Sequence, residues 1–90
     1  MQRLNIKDQE ENSLEMAFGS VLRRIRQDRD LSQEVLGFES GYHRTYISLL
    51  ERGQKSPSLR TVFNLAKALK IEPCELIRQV ESTIQQNMKK

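Results

Sequence analysis

The sequence predicts an all-α fold of five helices that contains a helix-turn-helix, and three observations carry the prediction. No segment alternates polar and apolar residues with period two, whereas several stretches repeat apolar residues at helical spacing. Helix start and stop signals punctuate the chain at intervals that suit short helices. Between Gln33 and Arg52 the run QEVLGFESGYHRTYISLLER holds two short helical patterns parted by Gly41. Two such helices joined through a glycine describe a helix-turn-helix, whose second helix would lie in the DNA major groove.

The elements follow in order. Residues 1–12 are polar apart from Leu4 and Ile6 and read as a flexible N-terminal arm. Helix one is expected over 13–29. Asn12 and Glu15 have capping-box spacing, and Leu14, Phe18, Val21, Leu22 and Ile25 form the apolar stripe. Gly19 inside that stripe is costly unless another helix passes close to it. Asp30 suits a left-handed terminator. Helix two, 33–40, is capped by Ser32 and carries Val35, Leu36 and Phe38; Gly37 in its middle again suggests close contact. Helix three, 44–52, has His43 as an unusual N-cap and Gly53 past its end. Helix four, 58–70, begins at the cap Ser58, with Leu59, Val62, Phe63, Leu65, Ala66 and Leu69 as a wide apolar face. Helix five, 73–85, opens at Pro73, a favoured first-turn position. Leu76, Ile77, Val80 and Ile84 are its stripe. Residues 86–90 read as a frayed tail, so the folded domain is 13–85.

Composition bounds the function. Ninety residues make one domain with little room for a second. One cysteine, Cys74, allows no intramolecular disulfide and no zinc set, and it reads as a small buried core residue. A reducing, cytoplasmic and nucleoid-associated setting is expected. The start, MQRLNIKDQEENS, lacks the apolar stretch of a secretory signal, and no run of about 18 apolar residues suggests a membrane span. The net charge of +3 proves no partner, but its distribution is informative. Arg44, Arg52, Lys55 and Arg60 face only Glu51 between residues 43 and 60. That basic excess sits on and after helix three, where a phosphate backbone would be met. With one His, one Cys and no phosphate-cradling glycine loop, no catalytic constellation, metal or cofactor is indicated.

Many spaced residues resemble one family. They run from Phe18-Gly19, Leu22-Arg23 and Arg26 through Leu31-Ser32-Gln33-Glu34, Gly41 and Tyr46-Ile47-Ser48. They continue with Glu51-Arg52-Gly53, Pro57-Ser58-Leu59 and Leu65-Ala66-Lys67-Ala68-Leu69. Over roughly residues 18–77 the chain resembles the Cro/repressor-type, or Xre-like, helix-turn-helix family. The family usually has alanine at position 37 and glycine at position 30, where this chain has Gly37 and Asp30.

The resemblance implies a compact repressor-like domain and a sequence-specific transcriptional regulator on double-stranded DNA. Arg44, Thr45, Ser48 and Leu49 become candidates for base contacts at the start of the recognition helix. Arg44 suits a bidentate bond to guanine, and Thr45 and Leu49 suit a thymine methyl. Gln33, at a helix N-terminus, is implied to bond a phosphate. His43, Tyr46, Arg52, Gln54, Lys55 and Ser58 are further phosphate candidates. Arg23, Arg24 and Arg60 stay open between phosphate contact and ordinary surface. The resemblance also implies an ion pair, Arg26 with Glu51, joining helix one to helix three.

Short members of the family include restriction–modification controller proteins and small phage or plasmid regulators. In those, helix five commonly forms a dimer contact, which assigns Leu76, Ile77, Val80 and Ile84 to a homodimer interface on a (pseudo)palindromic operator. RNA polymerase is a further partner if the protein activates, through Glu34 and Glu39. The competing reading is a protein-interaction module on the same fold, such as an antitoxin or adaptor.

Overall fold

The computed structural model describes the backbone of residues 2–88 and the side chains of residues 14–88. Five helices follow in order: α1 Gln2–Asp28, α2 Gln33–Ser40, α3 Arg44–Glu51, α4 Leu59–Leu69 and α5 Pro73–Met88. There is no strand among the described residues. α1 packs on α5 and α3, α2 packs on α3 and α4, and α4 closes against α5.

Helix ends coincide with local chemistry. Ser32 Oγ accepts the Val35 amide at 3.0 Å, and Ser58 Oγ accepts the Thr61 amide at 3.1 Å. His43 Nδ1 accepts the Thr45 amide at 3.0 Å, so an imidazole does the work usually left to Ser or Asp. Gly41 ends α2 at φ 87, a conformation that carries almost no penalty for glycine. Asp30 and Lys70 adopt the same left-handed region at φ 58 and φ 59. After α3 the Gly53 amide reaches the Leu50 carbonyl and the Gln54 amide reaches that of Leu49, the paired bonds of a Schellman ending.

Two boundaries differ from the sequence expectation. α1 begins at Gln2 and runs straight through Asn12 and Ser13, replacing the expected arm with helix. Residues 2–18 contain no Gly or Pro, and one Asn or Ser within a helix costs only tenths of a kcal/mol, roughly 0.5. α5 likewise continues to Met88. Met1, Lys89 and Lys90 of the expected arm and tail lie outside the described residues.

The core gathers Phe18, Val21, Leu22 and Ile25 of α1 with Leu36, Ile47, Leu50, Leu65, Leu69, Leu76 and Val80. α1 and α3 approach backbone to backbone. A Cβ built on Gly19 would stand 2.5 Å from the Glu51 carbonyl oxygen and closer still to that of Leu50. Gly37 meets the turn in the same way, with the Tyr42 carbonyl oxygen 2.5 Å from its would-be Cβ. That contact explains why this chain keeps glycine where its resemblance anticipates alanine. Several expected core residues are exposed instead. Leu14, Phe38, Leu59 and Phe63 are at least half exposed, because α1, α2 and α4 each turn a different part of their apolar stripe inward. Cys74 is also exposed, a correction to its expected burial. α5 buries Leu76 and Val80, and position 74 points away from that face.

Candidate nucleic-acid interface

α3 is amphipathic in a way that divides its labour. Ile47 and Leu50 are fully buried and fasten the helix to the domain. Arg44 and Thr45 are exposed at its N-terminal end, with Ser48 and Leu49 partly exposed one turn on. The structure thus places the four expected base-contact residues on one outward stripe, since positions three and four apart share a helix face. Ser48 and Leu49 are each partly buried.

The angle of that stripe is set by a polar lock. Arg26 Nε donates to Glu51 Oε2 at 2.6 Å and Nη2 donates to Oε1 at 3.1 Å, a bidentate fork. Arg26 Nη1 also donates to the Leu31 carbonyl at 2.8 Å, which fixes the loop between α1 and α2. The Glu51 side chain is 3% exposed, so water competes little for its carboxylate. Gln33 Nε2 adds a third donor at 3.0 Å from Oε1. One residue each from α1, α2 and α3 therefore meets at a single carboxylate.

The expected phosphate contacts fall into four groups. Arg52, Gln54 and Lys55 are exposed just past α3, beside the outward stripe. Gln33 sits at the start of α2, with its side chain turned into the Glu51 lock and its backbone amide unused by its own helix. His43 and Ser58 are exposed and also cap the helices they precede. His43 Nδ1 caps α3, and Ser58 Oγ both accepts the Thr61 amide and donates to Thr61 Oγ1 at 3.0 Å. Each supplies a short-range acceptor to the first turn of the helix it precedes. Tyr46 is half-buried and stacks on Tyr42 with ring centroids 5.1 Å apart.

Tyr42 holds a position that no sequence pattern marks. Its hydroxyl donates to Thr61 Oγ1 at 2.9 Å and accepts from Asn64 Nδ2 at 3.0 Å. It thereby ties the helix-turn-helix to α4. Both partners lie about twenty residues away, so no local pattern could have pointed to them.

The helix-five stripe divides in two. Leu76 is wholly buried inside the protomer's own core, which removes it from any surface for a second copy, whereas Val80 is nearly buried but still borders the groove described next. Ile77 remains half exposed and Ile84 partly so. They line an apolar groove with Leu14 of α1.

The fold and this site define a helix-turn-helix protein, and the chain belongs to that family: the helix-turn-helix family model matches residues 22–76. Its relatives include the control protein C.BamHI of Bacillus amyloliquefaciens, 42% identical over 67 residues that span 73% of this chain and 83% of the relative. Among solved structures, the restriction-modification controller protein C.AhdI of Aeromonas hydrophila is 49% identical with a TM-score of 0.66. That match covers 68% of this chain and 92% of that one. The controller protein C.Esp1396I, solved as a tetramer in complex with its natural 35 base-pair operator, is 25% identical with a TM-score of 0.74 over 80% of this chain and 95% of that one. No helix among the described residues is long and apolar enough to cross a membrane.

Proposed function

We propose that this protein is a sequence-specific DNA-binding transcriptional regulator that acts as a homodimer, with α3 in the major groove. The observation that carries the proposal is the outward stripe of Arg44, Thr45, Ser48 and Leu49 on a short helix clamped from behind. Ile47 and Leu50 are buried beneath it, and Glu51 is held by Arg26 and Gln33. A helix that presents polar and basic side chains at a fixed angle is what base-edge reading requires. The likeness to control proteins, one of them solved on its operator, supports the same reading.

Arg44 is the candidate for guanine, through two parallel hydrogen bonds to O6 and N7. Thr45 and Leu49 can touch a thymine methyl, and Ser48 can bond a base or sugar edge. Arg52, Gln54 and Lys55 flank the stripe and meet phosphates, with the Gln33 amide at the N-terminus of α2 on the other side. A single helix reads only a few base pairs. Two copies related by a two-fold axis read two half-sites about 34 Å apart. Ile77 and Ile84 are the residues of α5 left to pair such copies.

The reading is tested by titrating labelled duplexes at several salt concentrations. Binding through several phosphates must weaken steeply, by about 0.9 in the log–log slope for each contact. Affinity indifferent to salt would favour a protein-interaction module instead.

A further inference from the structure

A second basic feature lies beside the recognition helix, on α1. Arg23 and Arg24, adjacent on one turn of α1, and Gln27 on the next line a groove together with Met16, Ser20, Glu51 and Arg52. Glu51 borders the groove but does not neutralise it. Both its oxygens are taken by Arg26 and Gln33, and its side chain is 3% exposed. Arg23 is exposed and has no hydrogen bond or ion pair among the described residues. Arg24 holds one bond, to Gln79 Oε1 at 2.6 Å, which orients its guanidinium and leaves its charge uncompensated.

The mounting of these arginines is rigid. Gly19 brings the α1 backbone directly against the Leu50 and Glu51 carbonyls of α3. The position of Arg23 relative to Arg44 is therefore set by backbone packing. Arg44, Ser48 and Arg52 stand at i, i+4 and i+8, so the groove opens at the C-terminal end of the stripe assigned to bases.

We propose that Arg23 and Arg24 form, with Arg52, a seat for a backbone phosphate of the bound duplex, outside the base pairs that α3 reads. The inference rests on the DNA-binding function argued above. An α-helix with its side chains, about 10–12 Å across, fills a major groove about 12 Å wide. An element packed against the flank of that helix consequently sits over a phosphate ridge. α1 is one such element here, beside α2, and it brings two guanidinium groups that can fork onto phosphate oxygens. The seat adds affinity and fixes register without reading sequence.

The test compares the full-length protein with Arg23→Gln and Arg23→Lys on one operator duplex over a range of salt. Arg23→Gln is expected to make the log–log salt slope shallower by about 0.9, while the order of preferred sequences stays the same. Arg23→Lys retains the charge and should retain the wild-type slope. Both variants should melt as the wild type does, since Arg23 is exposed and unbonded. An unchanged slope in Arg23→Gln, with wild-type protein binding normally, overturns the seat and leaves the DNA-binding function standing. Wild-type protein that binds no duplex at any salt overturns both. Calorimetry with inorganic phosphate separates the remaining source of the same chemistry. Saturable micromolar binding lost in Arg23→Gln would reassign the groove to a soluble phosphate ligand and overturn the DNA seat, whereas no binding at that level is expected.

Discussion

Gln33 and Glu51, the first residue of α2 and the last of α3, are joined by a hydrogen bond of 3.0 Å. The bond closes the open side of the helix-turn-helix, opposite the turn at Gly41. Because the same carboxylate also takes the Arg26 fork, the orientation of the recognition helix depends on one buried charge. Removing one partner of such a pair leaves the other uncompensated, which costs more than the pair itself contributes.

Glu51→Ala should therefore destabilise the protein by about 3 kcal/mol. Arg26→Ala should cost a similar amount, and the double variant should cost less than the sum. Denaturant midpoints of the four proteins measure this directly, and additive losses would remove the pair from the account.

Gly19→Ala adds one methyl group where α1 and α3 touch through their backbones. The added Cβ meets carbonyl oxygens, not flexible side chains, so the helices must part. Overpacking of this kind costs about 1–3 kcal/mol. The variant should also bind its operator more weakly than its melting loss explains, because α3 has been displaced. Equal stability and affinity to the wild type would contradict the close contact.

His43→Ala removes the acceptor that caps α3 and should cost about 1 kcal/mol. His43→Asn, which supplies a good capping oxygen, should restore the loss. A thermal melt of the three proteins distinguishes a cap from an exposed bystander, for which all three would coincide.

Lys70 ends α4 in the left-handed region at φ 59, where a side chain is strained by about 1–2 kcal/mol. Lys70→Gly should raise stability by about 1 kcal/mol, after the extra freedom of glycine in the unfolded chain is set against the relief. Asp30→Gly should gain less, since Asp tolerates this conformation better than Lys. The order of the two melting temperatures checks the argument.

Much of this was legible locally. Ser32, Ser58, Gly53 and Pro73 mark helix ends through interactions within a few residues, and α2 and α3 lie where those signals put them. The cost of Gly19 and Gly37 in mid-helix pointed to close passage, and backbone oxygens stand there. What the sequence concealed was tertiary. Periodicity marks Leu76, Ile77, Val80 and Ile84 as one stripe but does not say which neighbour covers each. The fold buries Leu76 and Val80, leaves Ile77 half exposed and holds Ile84 partly buried against the core. For the same reason Cys74 looked buried, and Arg23 stayed open between phosphate contact and ordinary surface.

The central claim is that Arg44 on α3 reads a base as part of a dimeric protein. Selection of bound sequences from a random duplex pool, with Arg44→Ala run in parallel, tests it most directly. The account predicts a palindromic consensus with half-sites about one helical turn apart, near 34 Å, and a guanine preference that relaxes in the variant. No enrichment at low salt, or an identical consensus from Arg44→Ala, would contradict it.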